Sequence, residues 1–168
     1  MLIEPASADL EGFDCRISMA SVVSDGPFSF FPGVDRQLLI LEGGGLELTF
    51  RDGRQLVLER LGVPLSFAGE EPIVSRLLDG PVLDFNVMTR RGIEEQSLSY
   101  LQLMPGECIR GRQHAVMLFL LGTTAVFAQG REGKILEAGR YDLLLLDAEE
   151  SLVLRSDKPV KCILLKKK

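Results

Sequence analysis

Hydrophobic and polar residues alternate in short runs along most of this chain. Between residues 14 and 23, Cys15, Ile17 and Met19 share one side of the chain. Strict alternation of this kind predicts a half-buried β-strand. Residues 46–50 repeat the pattern, and no stretch keeps the period of about 3.6 residues that marks an amphipathic helix. The chain is therefore predicted to be all-β.

The stretch of residues 24–45 combines turns, aromatic residues and a short apolar run. The turn at Pro32-Gly33 leads to Arg36, and an apolar run over residues 38–41 ends at the three glycines 43–45. Turn residues on both sides of a short apolar run predict a buried strand between two loops. The aromatic residues before the turn are Phe28, Phe30 and Phe31.

The second half of the chain repeats the layout of the first. Residues 131–134 match the turn at residues 51–54 at an offset of 80, and residues 157–160 match residues 79–82 at an offset of 78. A weak repeat of this length in an all-β chain predicts two copies of one barrel or sandwich. Chance similarity between hairpins is the alternative. The expected domains are residues 1–95 and 96–168, which compose a single structural unit.

Composition and charge narrow the class of protein. The 168 residues are 46% hydrophobic and carry a net charge of −5, which allows a sizeable core and argues against a nucleic-acid partner. No apolar run approaches the roughly 20 residues that span a bilayer, and the acidic N-terminus lacks the features of a signal peptide. Cys15, Cys108 and Cys162 are too widely spaced for a disulfide framework or a zinc pattern. These features predict a cytoplasmic protein without a membrane partner.

Two groups of residues are candidates for a binding site. Arg36 follows the aromatic run, and an arginine fork in an aromatic-lined cavity suits a small carboxylate; a salt bridge to Asp35 or Asp84 is the alternative. Asp84, Asn86 and Met88 share one face of the strand predicted over residues 82–88. If that face is the interior, the buried polar groups need partners and form a site.

The stretch before the glycines also resembles the first motif of a cupin barrel. That motif has a glycine, two histidines one residue apart and then a glutamate, just before a strand and a glycine turn. In this chain the glutamate position falls on Arg36 and the histidine positions fall within residues 28–31. The resemblance implies a cupin without its metal and with no other cofactor. The chain's only histidine, His114, is expected to be a structural residue at a strand edge.

More narrowly, the chain resembles the HutD/Ves family of small bacterial bicupins. The match is carried by residues 16–20 (RISMA), 25–36 (DGPFSFFPGVDR), 41–45, 67–69 and 78–91 (LLDGPVLDFNVMTRR). It implies a double-stranded β-helix repeated twice. Family members usually begin with a strand that carries Trp-Lys-Asn-Gly-Gly-Gly. This sequence does not contain that motif, because of either a truncated start or a loss in this member.

The resemblance also implies a function. We expect a metal-free cupin that binds a small organic acid, with a regulatory or accessory role in histidine utilisation or in a stress response. Urocanate and formylated or formimino-glutamate-like compounds are the expected ligands. A metal-independent isomerase or lyase with Asp84 or Asp25 as base is one alternative, and an interaction protein with a filled pocket is another. Exposed strand edges make a homodimer an option. The expected ligand-binding residues are Phe28, Phe30, Phe31, Arg36, Asp84, Asn86 and Met88, with no catalytic residue assigned.

Overall fold

The computed structural model describes residues 2–9, 12–93, 96–111, 116–122 and 124–167. His114 lies outside these described residues. Every regular element in them is a β-strand, and the chain divides into two units, residues 1–95 and 96–168. Within the same ranges there is no helix of the length and apolar character needed to cross a membrane.

The first unit packs two antiparallel sheets against each other. Its strands are β1 (Leu2–Glu4), β2 (Cys15–Val22), β3 (Gly26–Pro27), β4 (Val34–Glu42), β5 (Leu46–Phe50), β6 (Gln55–Leu58), β7 (Leu65–Ala68), β8 (Ile73–Leu77) and β9 (Val82–Arg90). One sheet has the order β1-β2-β9-β4-β7 and the other has the order β3-β8-β5-β6. Apolar residues of both sheets, among them Leu38, Leu48 and Phe67, form a shared buried cluster.

The second unit repeats this topology. Its strands are β10 (Gln96–Leu103), β11 (Cys108–Arg110), β12 (Val116–Leu120), β13 (Ala125–Gln129), β14 (Lys134–Ala138), β15 (Leu143–Leu146), β16 (Ser151–Leu154) and β17 (Val160–Lys167). The sheets have the orders β10-β17-β12-β15 and β11-β16-β13-β14. These are the orders β2-β9-β4-β7 and β3-β8-β5-β6 of the first unit with every strand number raised by eight. The predicted double-stranded β-helix in two copies is therefore confirmed.

The strand β4 is longer than the apolar run that predicted it. It begins at Val34 rather than near residue 38, so Arg36 belongs to a strand and not to a loop. The reason is tertiary, because β4 pairs with β7 on one side and with β9 on the other. Those two ladders satisfy the backbone of residues whose side chains alone do not indicate a strand.

The three glycines after β4 form the tight connection to β5. Gly43 has a φ of +96°, and a Cβ at this position would collide with the carbonyl oxygen of Pro81. The predicted turn is thus also a place where two backbone segments approach closely, which only glycine permits.

Candidate functional site

Strand β9 carries a row of buried side chains into the interior of the first unit. Asp84, Asn86 and Met88 are 2%, 5% and 1% exposed. They alternate along a strand that is paired on both sides, by β2 and by β4. All three side chains also line the cavity of the first unit, so the face that they share is the interior face.

Arg36 on β4 is a positively charged side chain buried in this interior. It pairs with Met88 of β9 and with Phe67 of β7, and its side chain is 5% exposed. Its Nη2 donates a 2.7 Å hydrogen bond to Asn86 Oδ1, and its Nη1 donates a 3.1 Å bond to the carbonyl oxygen of Ser29. Its Nε is buried and has no hydrogen-bond partner among the described residues. The guanidinium is thus bonded to neutral acceptors.

The expected alternative, a salt bridge from Arg36 to Asp35, is not formed. Asp35 instead accepts a 2.9 Å hydrogen bond from Nη2 of Arg91 at the surface, and Glu70 binds the same guanidinium. Adjacent residues of a strand point to opposite faces, so Asp35 lies outside while Arg36 lies inside.

Aromatic rings surround the guanidinium of Arg36. Its Cζ lies 5.3 Å from the ring centroid of Phe28, 5.6 Å from that of Phe31 and 5.0 Å from that of Phe67. Such distances allow cation–π attraction, which is strongest where water is excluded. The rings therefore stabilise the buried cation without neutralising its charge.

Asn86 links Arg36 to Asp84. Its Nδ2 donates a 2.9 Å hydrogen bond to Asp84 Oδ1, which also accepts a 3.1 Å bond from the backbone N–H of Ala20. The arginine can only donate and the carboxylate can only accept, so the orientation of the asparagine amide is fixed. Arg36, Asn86 and Asp84 form one continuous hydrogen-bonded chain.

Burial shifts the pKa of both charged ends of this chain. Desolvation lowers the pKa of Arg36 to about 10; the negative charge of Asp84 opposes this change and the positive charge of Arg16 adds to it. Desolvation raises the pKa of Asp84 to about 6, against the hydrogen bonds from Asn86 and the Ala20 N–H and the charge of Arg36. At neutral pH the arginine is charged and most of the Asp84 carboxyl is ionised.

These residues line a cavity of about 530 Å³, which is within the range of small-molecule sites. Six of the seven residues proposed from the sequence line it, namely Phe28, Phe31, Arg36, Asp84, Asn86 and Met88. Phe30 is not among the lining residues, and its side chain is 64% exposed. Asp25, considered as an alternative base, also lines the cavity and accepts a 2.8 Å hydrogen bond from the Leu77 N–H.

Strand β2 also lines the cavity, and its two polar residues there, Arg16 and Ser18, were not predicted from the sequence. The alternation placed Cys15, Ile17 and Met19 on one side; Cys15 and Ile17 are buried, whereas Met19 is 38% exposed. The opposite side of β2, which carries Arg16 and Ser18, lines the cavity. One feature of the sequence could have predicted them. Arg16 and Ser18 alternate with apolar residues on a strand, as Asp84 and Asn86 do on β9.

The cavity does not fit the divalent metal that the cupin fold implies. The position of the motif's glutamate holds a guanidinium, which repels a cation, and its histidine positions hold phenylalanines. Among the residues that the structure describes, no three His, Cys, Asp or Glu side chains are grouped so that they could hold a metal ion. Oxygen, nitrogen or sulfur ligands in such a group are what these metals require.

The second unit has a different interior at the matching positions. At the offset of 78 residues, Asp84 and Asn86 correspond to Cys162 and Leu164. Both are buried in a cluster of apolar side chains that includes Leu118 and Phe127. The polar chain of the first unit is thus replaced by apolar packing in the second.

The topology, with two copies of the double-stranded β-helix, defines the protein as a bicupin. Solved cupins share the fold: a cupin 2 conserved barrel domain protein from Leptotrichia buccalis matches with a TM-score of 0.63 at 12% identity, over 92% of this chain and 84% of that one. The HutD family model matches residues 1–164. The chain belongs to the HutD family, and the resemblance proposed from the sequence is confirmed.

Individual relatives agree with this assignment. Protein Ves of Cronobacter sakazakii is 43% identical over 88 residues, which cover 52% of this chain and 46% of that protein. Protein Ves of Escherichia fergusonii is 39% identical over 87 residues, covering 51% and 44%. The matched part thus spans less than half the length of these curated relatives.

Two solved structures extend the similarity to nearly the whole chain. HutD from Pseudomonas fluorescens SBW25, in a formate condition, is 25% identical with a TM-score of 0.71 over 97% of this chain and 84% of that one. A conserved protein of unknown function from Pseudomonas aeruginosa PAO1 is 24% identical with a TM-score of 0.85, over 98% and 85%.

Proposed function

We propose that the cavity of the first unit binds a small organic acid whose carboxylate contacts Arg36. The observation that carries this proposal is a 5% exposed arginine on a cavity wall whose hydrogen bonds go to the neutral acceptors Ser29 O and Asn86 Oδ1. A buried charge is stable when it is paired. A ligand carboxylate supplies the opposite charge that direct protein contacts do not.

The geometry of the arginine suits a carboxylate. A guanidinium has five N–H donors in a planar fork, and the bonds to Ser29 and Asn86 leave donors for a further acceptor. Charge-assisted bonds of this kind are about twice as strong as neutral ones. Phe28 and Phe31, which also line the cavity, offer apolar surface to the body of the acid.

Family membership suggests the biological setting of this ligand. We propose a regulatory or accessory role in histidine utilisation, with urocanate or a formylated or formimino-glutamate-like compound as the acid. A role in a stress response is the second setting that the family suggests. For both settings we propose a cytoplasmic location. The volume of about 530 Å³ favours a ligand over the alternative of a filled pocket.

A second candidate function is a metal-independent isomerase or lyase. The raised pKa of Asp84, about 6, favours it, since a general base is most effective with a pKa near the working pH. Turnover of a bound acid by the wild-type protein, lost in Asp84→Asn, would select this function. Binding of the acid without turnover would select the receptor.

Thermal unfolding with and without each candidate acid tests the proposed binding. A ligand at 100 times its Kd stabilises the folded state by about 2.7 kcal/mol, so the Tm of the wild-type protein should rise. Arg36→Gln should lose this rise. Arg76→Gln is a matched control, because Arg76 is an exposed arginine bound to Glu47, and it should keep the rise. An equal rise in Arg36→Gln, or none in the wild type, would contradict the proposal.

A further inference from the structure

The charged groups of the cavity are ordered along the strands. Arg16 of β2 and Arg36 of β4 both stand opposite Met88, on either side of β9. On the same face of β9, Asn86 lies two residues before Met88 and Asp84 lies four residues before it. Paired residues of adjacent strands point to the same face, so the two arginines mark one end of the cavity and Asp84 marks a point further along it.

One side chain separates the two kinds of charge. Asn86 bonds to Arg36 at 2.7 Å and to Asp84 at 2.9 Å, so the guanidinium and the carboxylate are one amide group apart. Arg36 and Asp84 also both line the cavity. A single small molecule in the cavity can therefore meet both charges at once.

We propose that the ligand of this cavity is bipolar: it carries a carboxylate for Arg36 and, at its other end, an N–H donor or a positive charge for Asp84. This inference rests on the proposed function, because it assumes that an acid binds at Arg36. A ligand with a second carboxylate at the end near Asp84 would place its negative charge beside that of the Asp84 carboxylate, which is 2% exposed. Repulsion of this kind is how a site rejects the wrong ligand.

The environment of Asp84 suits an acceptor of ligand hydrogen bonds. Its Oδ1 accepts the bonds from Asn86 and from the Ala20 N–H. Asp25, Arg16 and Arg36 are the other charged groups that line the cavity. Burial raises the pKa of Asp84 to about 6, which leaves the group mostly ionised at neutral pH. An ionised carboxylate can only accept, so it selects a donor.

A matched pair of acids tests the inference by isothermal titration calorimetry at pH 7. Urocanate has a ring N–H, and 3-(2-furyl)acrylate has the same chain and carboxylate with a ring that cannot donate. The wild-type protein should bind urocanate about tenfold more tightly or better, as expected for a hydrogen bond to a charged group. Asp84→Asn should reduce this preference to about threefold or less while it keeps the affinity for the furan acid.

The retained affinity of Asp84→Asn for 3-(2-furyl)acrylate also shows that the variant is folded. Asp35→Asn is the comparison variant, because Asp35 is exposed outside the cavity and bound to Arg91, and it should keep the preference for urocanate. Equal affinity of the wild type for both acids would overturn the inference and leave the proposed function standing. A preference that survives Asp84→Asn, or is lost in Asp35→Asn, would overturn it as well. Failure of both acids to bind the wild type would overturn the inference together with the proposed function.

Discussion

The guanidinium of Arg36 is held by the amide of Asn86 through a 2.7 Å hydrogen bond, and not by direct contact with a carboxylate. Asn86 Nδ2 in turn donates a 2.9 Å hydrogen bond to Asp84 Oδ1. The Arg36 cation and the Asp84 anion thus lie inside one barrel without forming a direct salt bridge. This separation leaves both charges facing the cavity, where a ligand can reach them.

Replacing Asn86 with leucine should destabilise the protein. The substitution removes a hydrogen bond from each of two buried charged groups, Arg36 and Asp84, and unpaired buried charges are costly. We expect a loss of about 2–4 kcal/mol in the free energy of unfolding. Urea unfolding followed by circular dichroism measures it, since the chain has no tryptophan.

Thr49→Val is the control for the Asn86→Leu variant. Thr49 lies on β5, and its hydroxyl accepts only a long, exposed hydrogen bond of 3.5 Å from Gln55. The change in stability should stay within about 0.5 kcal/mol. If Asn86→Leu is as stable as the wild type, the hydrogen bonds of Asn86 to Arg36 and Asp84 do not stabilise these two buried charged groups.

The stability of the protein should depend on the ionisation of Asp84. The folded-state pKa is raised from 3.8 to about 6 by burial, so the folded state binds the proton more tightly than the unfolded state. The resulting stability is fully present below pH 4 and is lost as the pH rises through 6. Between pH 4 and 7 the wild type should lose on the order of 3 kcal/mol relative to Asp84→Asn, as measured by urea unfolding at each pH.

Glu47→Gln provides a control of opposite sign for the pH series. The pKa of Glu47 is lowered by its hydrogen bond from Arg76, so its contribution is present above its ordinary pKa and fades as the pH falls. Relative to Glu47→Gln, the wild type should therefore gain rather than lose stability as the pH rises. Parallel pH curves for the wild type and Asp84→Asn would refute the assigned burial of Asp84.

Gly69 should be essential for the position of the loop before β4. A Cβ at Gly69 would lie 2.5 Å from the carbonyl oxygen of Phe31 and 2.9 Å from that of Val34. These are backbone atoms that cannot rotate away, so Gly69→Ala must displace the segment that carries Ser29 and Phe31. We expect a loss of about 2 kcal/mol or more in the free energy of unfolding and a weaker affinity for the acid, measured by unfolding and calorimetry.

Gly122→Ala is the matched control for this substitution. A Cβ at Gly122 would meet nothing within 4 Å, and this residue belongs to the second unit. It should leave both the stability and the affinity near their wild-type values. If Gly69→Ala behaves like Gly122→Ala, the close approach of the loop is not required for the site.

The sequence predicted the fold well because strands carry a short-range signal. The alternation over β2 and β9 and the turn residues between the strands follow from local geometry, and the repeat followed from the matching turns. The start of β4 was missed, since the strand character of residues 34–37 comes from pairing with β7 and β9. Long-range pairing of this kind leaves little trace in the local pattern.

The site could be predicted only in part, for a related reason. Asp84 and Asn86 could be predicted because a carboxylate and an amide interrupt an apolar strand, and Arg36 could be predicted because it follows an aromatic run. Phe30 was proposed together with Phe28 and Phe31, but it is exposed. The hydrophobicity of a side chain in a loop does not determine the direction in which it points. Arg16 was missed because one-sided burial was assumed for β2, whereas a cavity gives a strand a second inner face.

A crystal structure of the wild-type protein with urocanate would show directly whether an acid binds in the first unit with its carboxylate on Arg36. We expect a carboxylate oxygen within about 3.2 Å of an Arg36 Nη atom, in the cavity between Phe28 and Asp84. Urocanate bound elsewhere on the protein, with the Arg36 cavity holding only water, would show that Arg36 does not bind the acid.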